Sequence, residues 1–267
     1  MATKAQIEKC IENAVSAFNT VFPYGKDITE SVDFVIVGSG KYEERLREVE
    51  KRICAEKKEY DRRTVAEVVI GGKGVAVVIY SRRFPDGIRG EMTIAHELGH
   101  ILDAKTNADI ALALRILNGF HEQTPLAVGG SLWSEFIASV VANRVYSNRE
   151  YLADAYDYNR YITDLLDRSI LSPTMDVPSL GHYFAALLSD KEALALQEED
   201  QPPLVGMAHC NDAEVDGLLD ISDILIEQLE GTEPFWAITQ ERLIALGNRI
   251  INLCDLLLEE GINGTQL

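Results

Sequence analysis

The stretch Thr93-Ile94-Ala95-His96-Glu97-Leu98-Gly99-His100-Ile101-Leu102 decides how this chain is read. Its apolar residues Ile94, Ala95, Leu98, Ile101 and Leu102 recur at helical spacing, which predicts a partly buried α-helix. Residues four apart on a helix differ by about 40° around the axis, so His96 and His100 project from one face, one turn apart. Two imidazoles so placed can bind one tetrahedral Zn2+. Glu97 lies about 100° from His96, beside such an ion rather than on it, where a carboxylate can exchange protons with an activated water. Gly99 costs about 1 kcal/mol against alanine in a helix interior, so its presence there predicts close packing.

Upstream, residues 3–19 carry Ile7, Ile11, Ala14, Val15 and Phe18 at helical spacing. Val32 to Val37 is a short apolar run ending in Gly38-Ser39-Gly40, the pattern of a strand and its turn. Lys41 to Lys58 reads as a charged surface helix with Leu46, Val49 and Ile53 on one side. Val65–Ile70 and Val75–Tyr80 are β-rich runs separated by Gly71-Gly72-Lys73-Gly74, which predicts a hairpin. Arg82 to Gly90, with Pro85-Asp86-Gly87, reads as a loop.

From Glu91 onward the strand signal disappears. Helical patterns occupy about 91–105, 108–118, 131–147, 150–168, 180–197, 213–230 and 234–260. Breaks are expected at Gly119, at Gly129-Gly130, near Pro173 and Pro178, and at Glu198-Glu199-Asp200-Gln201-Pro202-Pro203, the best linker candidate. The expected fold is therefore α+β. A small N-terminal mixed sheet with helices fills residues 1–147 together with the helices bearing His96 and Glu135, and a mainly helical region fills 148–267.

Composition narrows the function classes. Residues 1–90 carry 16 Lys+Arg against 14 Asp+Glu, and residues 91–267 carry 9 against 29. So acidic a chain is a poor partner for nucleic acid, because phosphate contacts would oppose its own field. The acidic part reads as a solvated surface or as a docking face for a basic partner. Cys10, Cys54, Cys210 and Cys254 form no CxxC pair, so redox motifs and zinc knuckles are unsupported. No apolar run is expected to span a bilayer, and Met1–Tyr24 lacks the uninterrupted apolar stretch of a secretory signal, so a cytoplasmic protein is the expectation.

A catalytic zinc needs a third protein ligand. The extended pattern HExxHxxGxxH is excluded, since Asp103 and Thr106 stand at its last two fixed positions. Glu135 is the strongest candidate: it sits in the apolar helical stretch from Ser131 to Val141, where an inward carboxylate needs a partner. His121, Asp103 and Asp109 are the alternatives.

HELGH followed 35 residues later by Glu135, within Trp133-Ser134-Glu135-Phe136-Ile137-Ala138-Ser139, resembles the zincin metallopeptidases of the gluzincin type. Within that type it is similar to the ImmA/IrrE-like proteases, cytoplasmic bacterial and phage enzymes that act on helix-turn-helix repressors. The resemblance covers about residues 30–147. It implies His96, His100 and Glu135 as zinc ligands, Glu97 as general base, and a protein or peptide substrate such as a transcriptional regulator. Two positions depart from the pattern. Asp103-Ala104-Lys105 stands where family members often carry another histidine. Ser139 stands four residues after the ligand glutamate, where some gluzincins place an aspartate that orients a histidine.

Zincins bind extended substrate on a strand at the cleft edge, for which Val75–Tyr80 is the candidate. An oxyanion stabiliser is also expected, commonly Tyr or His, and His182-Tyr183 is the pair that fits. The tyrosines Tyr146, Tyr151, Tyr156, Tyr158 and Tyr161 read as packing residues. The expected function is a zinc-dependent intracellular endopeptidase. The competing expectation is a regulatory or protein-binding module that keeps the zincin scaffold and cleaves nothing.

Overall fold

Gly72 and Lys73 form the turn of a β-hairpin, and the strands on either side build the only sheet among the described residues. The computed structural model describes residues 2–22, 24–38, 40–56, 65–111, 124–146, 181–182, 184–185, 212–232 and 236–264. The expected helix at 150–168, the breaks at Gly119, Pro173 and Pro178, the 198–203 linker, His121, Tyr183 and the tyrosines from Tyr151 to Tyr161 lie outside them. The elements are α1 (Lys4–Val21), α2 (Gly25–Thr29), β1 (Val32–Val37), α3 (Tyr42–Ile53), β2 (Ala66–Gly71), β3 (Gly74–Tyr80), α4 (Gly87–Thr106), α5 (Pro125–Val145), α6 (Asp212–Thr232) and α7 (Gln240–Gly264). The chain is α+β, mainly helical with a small mixed sheet.

The chain divides into two compact units. The first comprises Met1–Leu102 with Val141–Ser147, the second Asp103–Val140 with Asn148–Leu267.

In the first unit the sheet order is β1-β3-β2. β3 pairs antiparallel with β2, from Ala66↔Ile79 to Gly71↔Gly74, and parallel with β1, from Val32↔Val75 to Val37↔Tyr80. The parallel pair needs a crossover, which α3 supplies. Ala76 and Val78 face α3 and pack with Val37, Leu46, Val49, Ile53 and Val69. Val77 and Ile79 alternate to the opposite face and are also fully buried. Burial on both faces explains why this strand is an unbroken apolar run. The topology corrects one expectation: Val75–Tyr80 is the central strand, hydrogen-bonded on both sides, and has no edge to offer a substrate.

A capping box at Thr3 and Gln6 starts α1. Its buried face, Ile7, Cys10, Ala14 and Phe18, turns inward. Cys10 reaches α4, where a Cβ at Gly90 would lie 3.1 Å from its sulfur, and Asn13 Nδ2 donates to Glu91 Oε1 at 2.7 Å. The motif-bearing helix is thus packed against α1. It begins at Gly87, inside the stretch read as a loop, because Gly87 takes a positive φ of 62° that turns the chain into the helix.

In the second unit α6 and α7 pack on each other. They bury Leu218, Ile221, Leu225 and Leu229 of one and Leu243, Leu246, Ile250 and Leu253 of the other. The break expected at Gly129-Gly130 does not occur: α5 runs unbroken through both residues. The physical reason is a close helix crossing. A Cβ at Gly129 would collide with the Leu243 carbonyl of α7, and a Cβ at Gly247 would collide with the Pro125 carbonyl. These glycines let two backbones meet instead of ending a helix. With α5 lengthened to 21 residues, the chain does contain a helix long and apolar enough to cross a bilayer by length and composition. Two thirds of its most apolar window (67%) is buried inside the protein, as in a core helix.

Candidate metal centre

Helix α4 carries His96, Glu97 and His100 in the first unit. The apolar face predicted for it is present: Ile94, Ala95, Leu98, Ile101 and Leu102 are buried, as is Gly99. This packing leaves the stripe of His96 and His100 half-buried. The two Nε2 atoms lie 3.1 Å apart, and the rings meet edge to face with centroids 4.7 Å apart and planes at 89°. The two Nε2 atoms are thus within hydrogen-bonding distance of one another, donor and acceptor being set by the tautomers. Two ligands on a tetrahedral zinc, each 2.0–2.1 Å from it, stand about 3.3 Å apart. Glu97 is 8% exposed, a buried carboxylate one position along the helix from His96.

Helix α5 carries Glu135 in the second unit, half-buried among Leu132, Phe136, Ile137 and Ala138, all of them buried. Glu135 Oε2 lies 3.4 Å from His182 Nε2, and His182 Nδ1 lies 2.6 Å from Ser139 Oγ. Ser139 follows Glu135 by one helical turn, so both flank the same imidazole. Gly181 makes the approach possible: a Cβ there would lie 2.7 Å from Glu135 Cβ and 2.8 Å from the Phe136 nitrogen. Any other residue would push the His182 segment off the helix. Gly181-His182 carried this signal in the sequence, as a glycine beside a histidine, but the pairing to Glu135 is 47 positions long-range and leaves no local trace. Tyr183, its expected companion, is outside the described residues.

The alternatives for a third ligand fare differently. Asp103, one turn past His100, spends its carboxylate on structure: Oδ1 accepts from Asn107 Nδ2 at 2.8 Å and from Trp133 Nε1 at 2.9 Å. Burial pushes its carboxyl above the usual aspartate range, while bonds from Asn107, Trp133 and Ser134 pull the other way. Asn107 then holds the chain before α7, accepting from the Ile238 nitrogen at 2.9 Å and donating to the Trp236 carbonyl at 3.4 Å. Asp109 is exposed. In the first unit, Tyr146 sits beside Glu91, and burial with that carboxylate pushes its phenol above the ordinary range.

Compared with protein-family models, with curated proteins and with solved structures, the chain matches none of them.

Proposed function

We propose that this chain is a zinc-dependent peptidase in which His96, His100 and Glu135 hold one zinc ion and Glu97 is the general base. The observation that carries the reading is the pair of Nε2 atoms, 3.1 Å apart, on a helix that also bears the buried Glu97. The donor chemistry fits the ion: two neutral imidazoles and a carboxylate are a recurrent set for catalytic zinc.

When bound, zinc supplies the Lewis acidity that lowers the pKa of water to about 7 and polarises a substrate carbonyl. Glu97 takes the proton of the attacking water and returns it to the departing amine, as a positioned carboxylate base does. His96 and His100 are aimed by the packing of α4, Glu135 by that of α5. Ser139 and Glu135 are two of the groups that lie against His182, which this reading keeps as the candidate oxyanion donor. With β3 enclosed, extended substrate would pair with β1 or β2. The resemblance to ImmA/IrrE-like proteases makes a cytoplasmic protein substrate, of the transcriptional-regulator class, the first to test.

Elemental mass spectrometry of the wild type and of Glu135→Ala, both supplied with zinc and then freed of excess, tests the metal site. About one zinc per chain in the wild type and much less in the variant is expected. No zinc in either removes the peptidase reading. Zinc bound by the wild type, with no cleavage of any protein or peptide offered, favours a binding module instead.

A further inference from the structure

The second unit holds a cavity of about 190 Å³, and every residue lining it belongs to that unit. Its wall is apolar where it is most buried: Trp133, Ile238 and Leu243 line it, and Gly130 borders it with no side chain to fill the space. Three polar side chains share the same lining, Asp103 and Asn107 one helical turn apart and Ser134 next to Trp133. Small-molecule sites have this form, an apolar chamber with a few convergent polar groups. A cavity of about 150 Å³ accepts benzene, so this volume suits a ligand of roughly six to eight non-hydrogen atoms.

The chemistry of the ligand follows from Asp103. Its Oδ1 accepts from Asn107 Nδ2 at 2.8 Å and from Trp133 Nε1 at 2.9 Å, and the Ser134 side chain also bonds to the carboxyl. None of these three groups is charged. An ionised carboxyl offers about four lone-pair sites, so three donors leave room for one more. A charge taken out of water is costly unless a counter-charge meets it. Desolvation accordingly outweighs the three hydrogen bonds and raises this carboxyl above the usual range. A cation entering the cavity would supply what the neutral donors do not.

The chamber is also held in shape. Asn107 Oδ1 accepts from the nitrogen of Ile238, which fixes that part of the wall. Two residues earlier Trp236 takes a positive φ of 42°, a conformation that a side chain disfavours, and its carbonyl accepts from Asn107 Nδ2. Backbone held in this way is common at ligand clamps.

We propose that this cavity binds a small organic cation, a primary ammonium on a short apolar body, with the ammonium donating to Asp103 and the body lying against Trp133, Ile238 and Leu243. The site stands apart from the zinc reading, since it uses none of His96, Glu97, His100 and Glu135.

Calorimetric titration of the full chain near neutral pH compares two probes of the same carbon skeleton, isoamylamine and isoamyl alcohol. The amine should bind at least about tenfold more tightly, as a charge-assisted hydrogen bond in a sheltered site implies. Asp103→Asn keeps an acceptor and removes the charge, so it should erase that preference. Circular dichroism checks that the variant is folded. If it is not, Ala104→Leu decides: it enlarges a half-buried residue of the cavity lining and should abolish binding of the amine. Equal binding of the two probes by the wild type overturns recognition of a cation. A preference that survives Asp103→Asn does the same, because it then reflects general attraction to an acidic protein. Amine binding unchanged in Ala104→Leu, or no binding of either probe by the wild type, overturns the site.

Discussion

Ser139 and His182 lie 43 positions apart in sequence, yet Ser139 Oγ and His182 Nδ1 are 2.6 Å apart. Ser139 stands four residues after Glu135, the position where, by the resemblance, some gluzincins place an aspartate that orients a histidine. The neutral hydroxyl meets one nitrogen of His182, and the other nitrogen lies 3.4 Å from Glu135 Oε2.

If Glu97 is the base, Glu97→Gln should keep the zinc content near one per chain and lower turnover by about a hundredfold to ten-thousandfold. The amide preserves size and burial while removing the proton acceptor. Peptide hydrolysis measured beside elemental analysis of the same sample checks it. Turnover at the wild-type rate in a zinc-loaded variant would take Glu97 out of the mechanism.

Stability should carry a pH signature from Asp103. Burial raises its carboxyl in the folded state above the unfolded aspartate value of about 3.9. The folded form then favours the protonated acid. The resulting stability is fully present below the unfolded value and is lost as pH rises through the folded one. Asp103→Asn keeps an acceptor for Trp133 and removes the titration. Urea midpoints across the acid range should show the wild type losing ground to this variant as pH rises. A gap that moves the opposite way would contradict the assignment.

Gly129→Ala and Gly247→Ala should each destabilise the second unit by about 1–3 kcal/mol, the range for overpacked sites. Alanine ordinarily favours a helix over glycine by about 1 kcal/mol. The sign reverses here because the added methyl meets a backbone carbonyl that cannot give way. Gly217→Ala is the control, with only the Leu253 Cδ1 methyl at 3.4 Å from its Cβ. It should be neutral or mildly stabilising. Equal effects at all three positions would dismiss the close crossing.

Thiol chemistry should separate Cys54 from Cys10. Cys54 is exposed, at the left-handed cap of α3 with φ of 56°. Cys10 is buried beside α4, and burial together with Glu91 pushes its thiol above the ordinary range. Because the thiolate is the reactive species, Cys54 should be alkylated first at pH 8, and Cys10 only once the chain is unfolded. Peptide mapping after timed alkylation reads both sites. Early labelling of Cys10 would show that α1 leaves α4 readily.

Local pattern determined much of this protein. The 3.6-residue periodicity of Ile94, Ala95, Leu98, Ile101 and Leu102 put His96 and His100 on one helical stripe, because a helix repeats its neighbours every turn. The glycine cluster at 71–74 marked a hairpin, and its β-rich flanks paired as expected. Other features depended on which surfaces meet in three dimensions. Val75–Tyr80 became the central strand because the crossover through α3 delivers β1 to its free side. Gly129 and Gly130 stayed within a helix because α7 needs the space. Asp103, open on sequence grounds as a metal ligand, is committed to Trp133 and Asn107. The Ser139–His182–Glu135 chain belongs to this second group. Sequence reports the periodicity of one segment, whereas a hydrogen bond between side chains 43 positions apart exists only after backbones have packed.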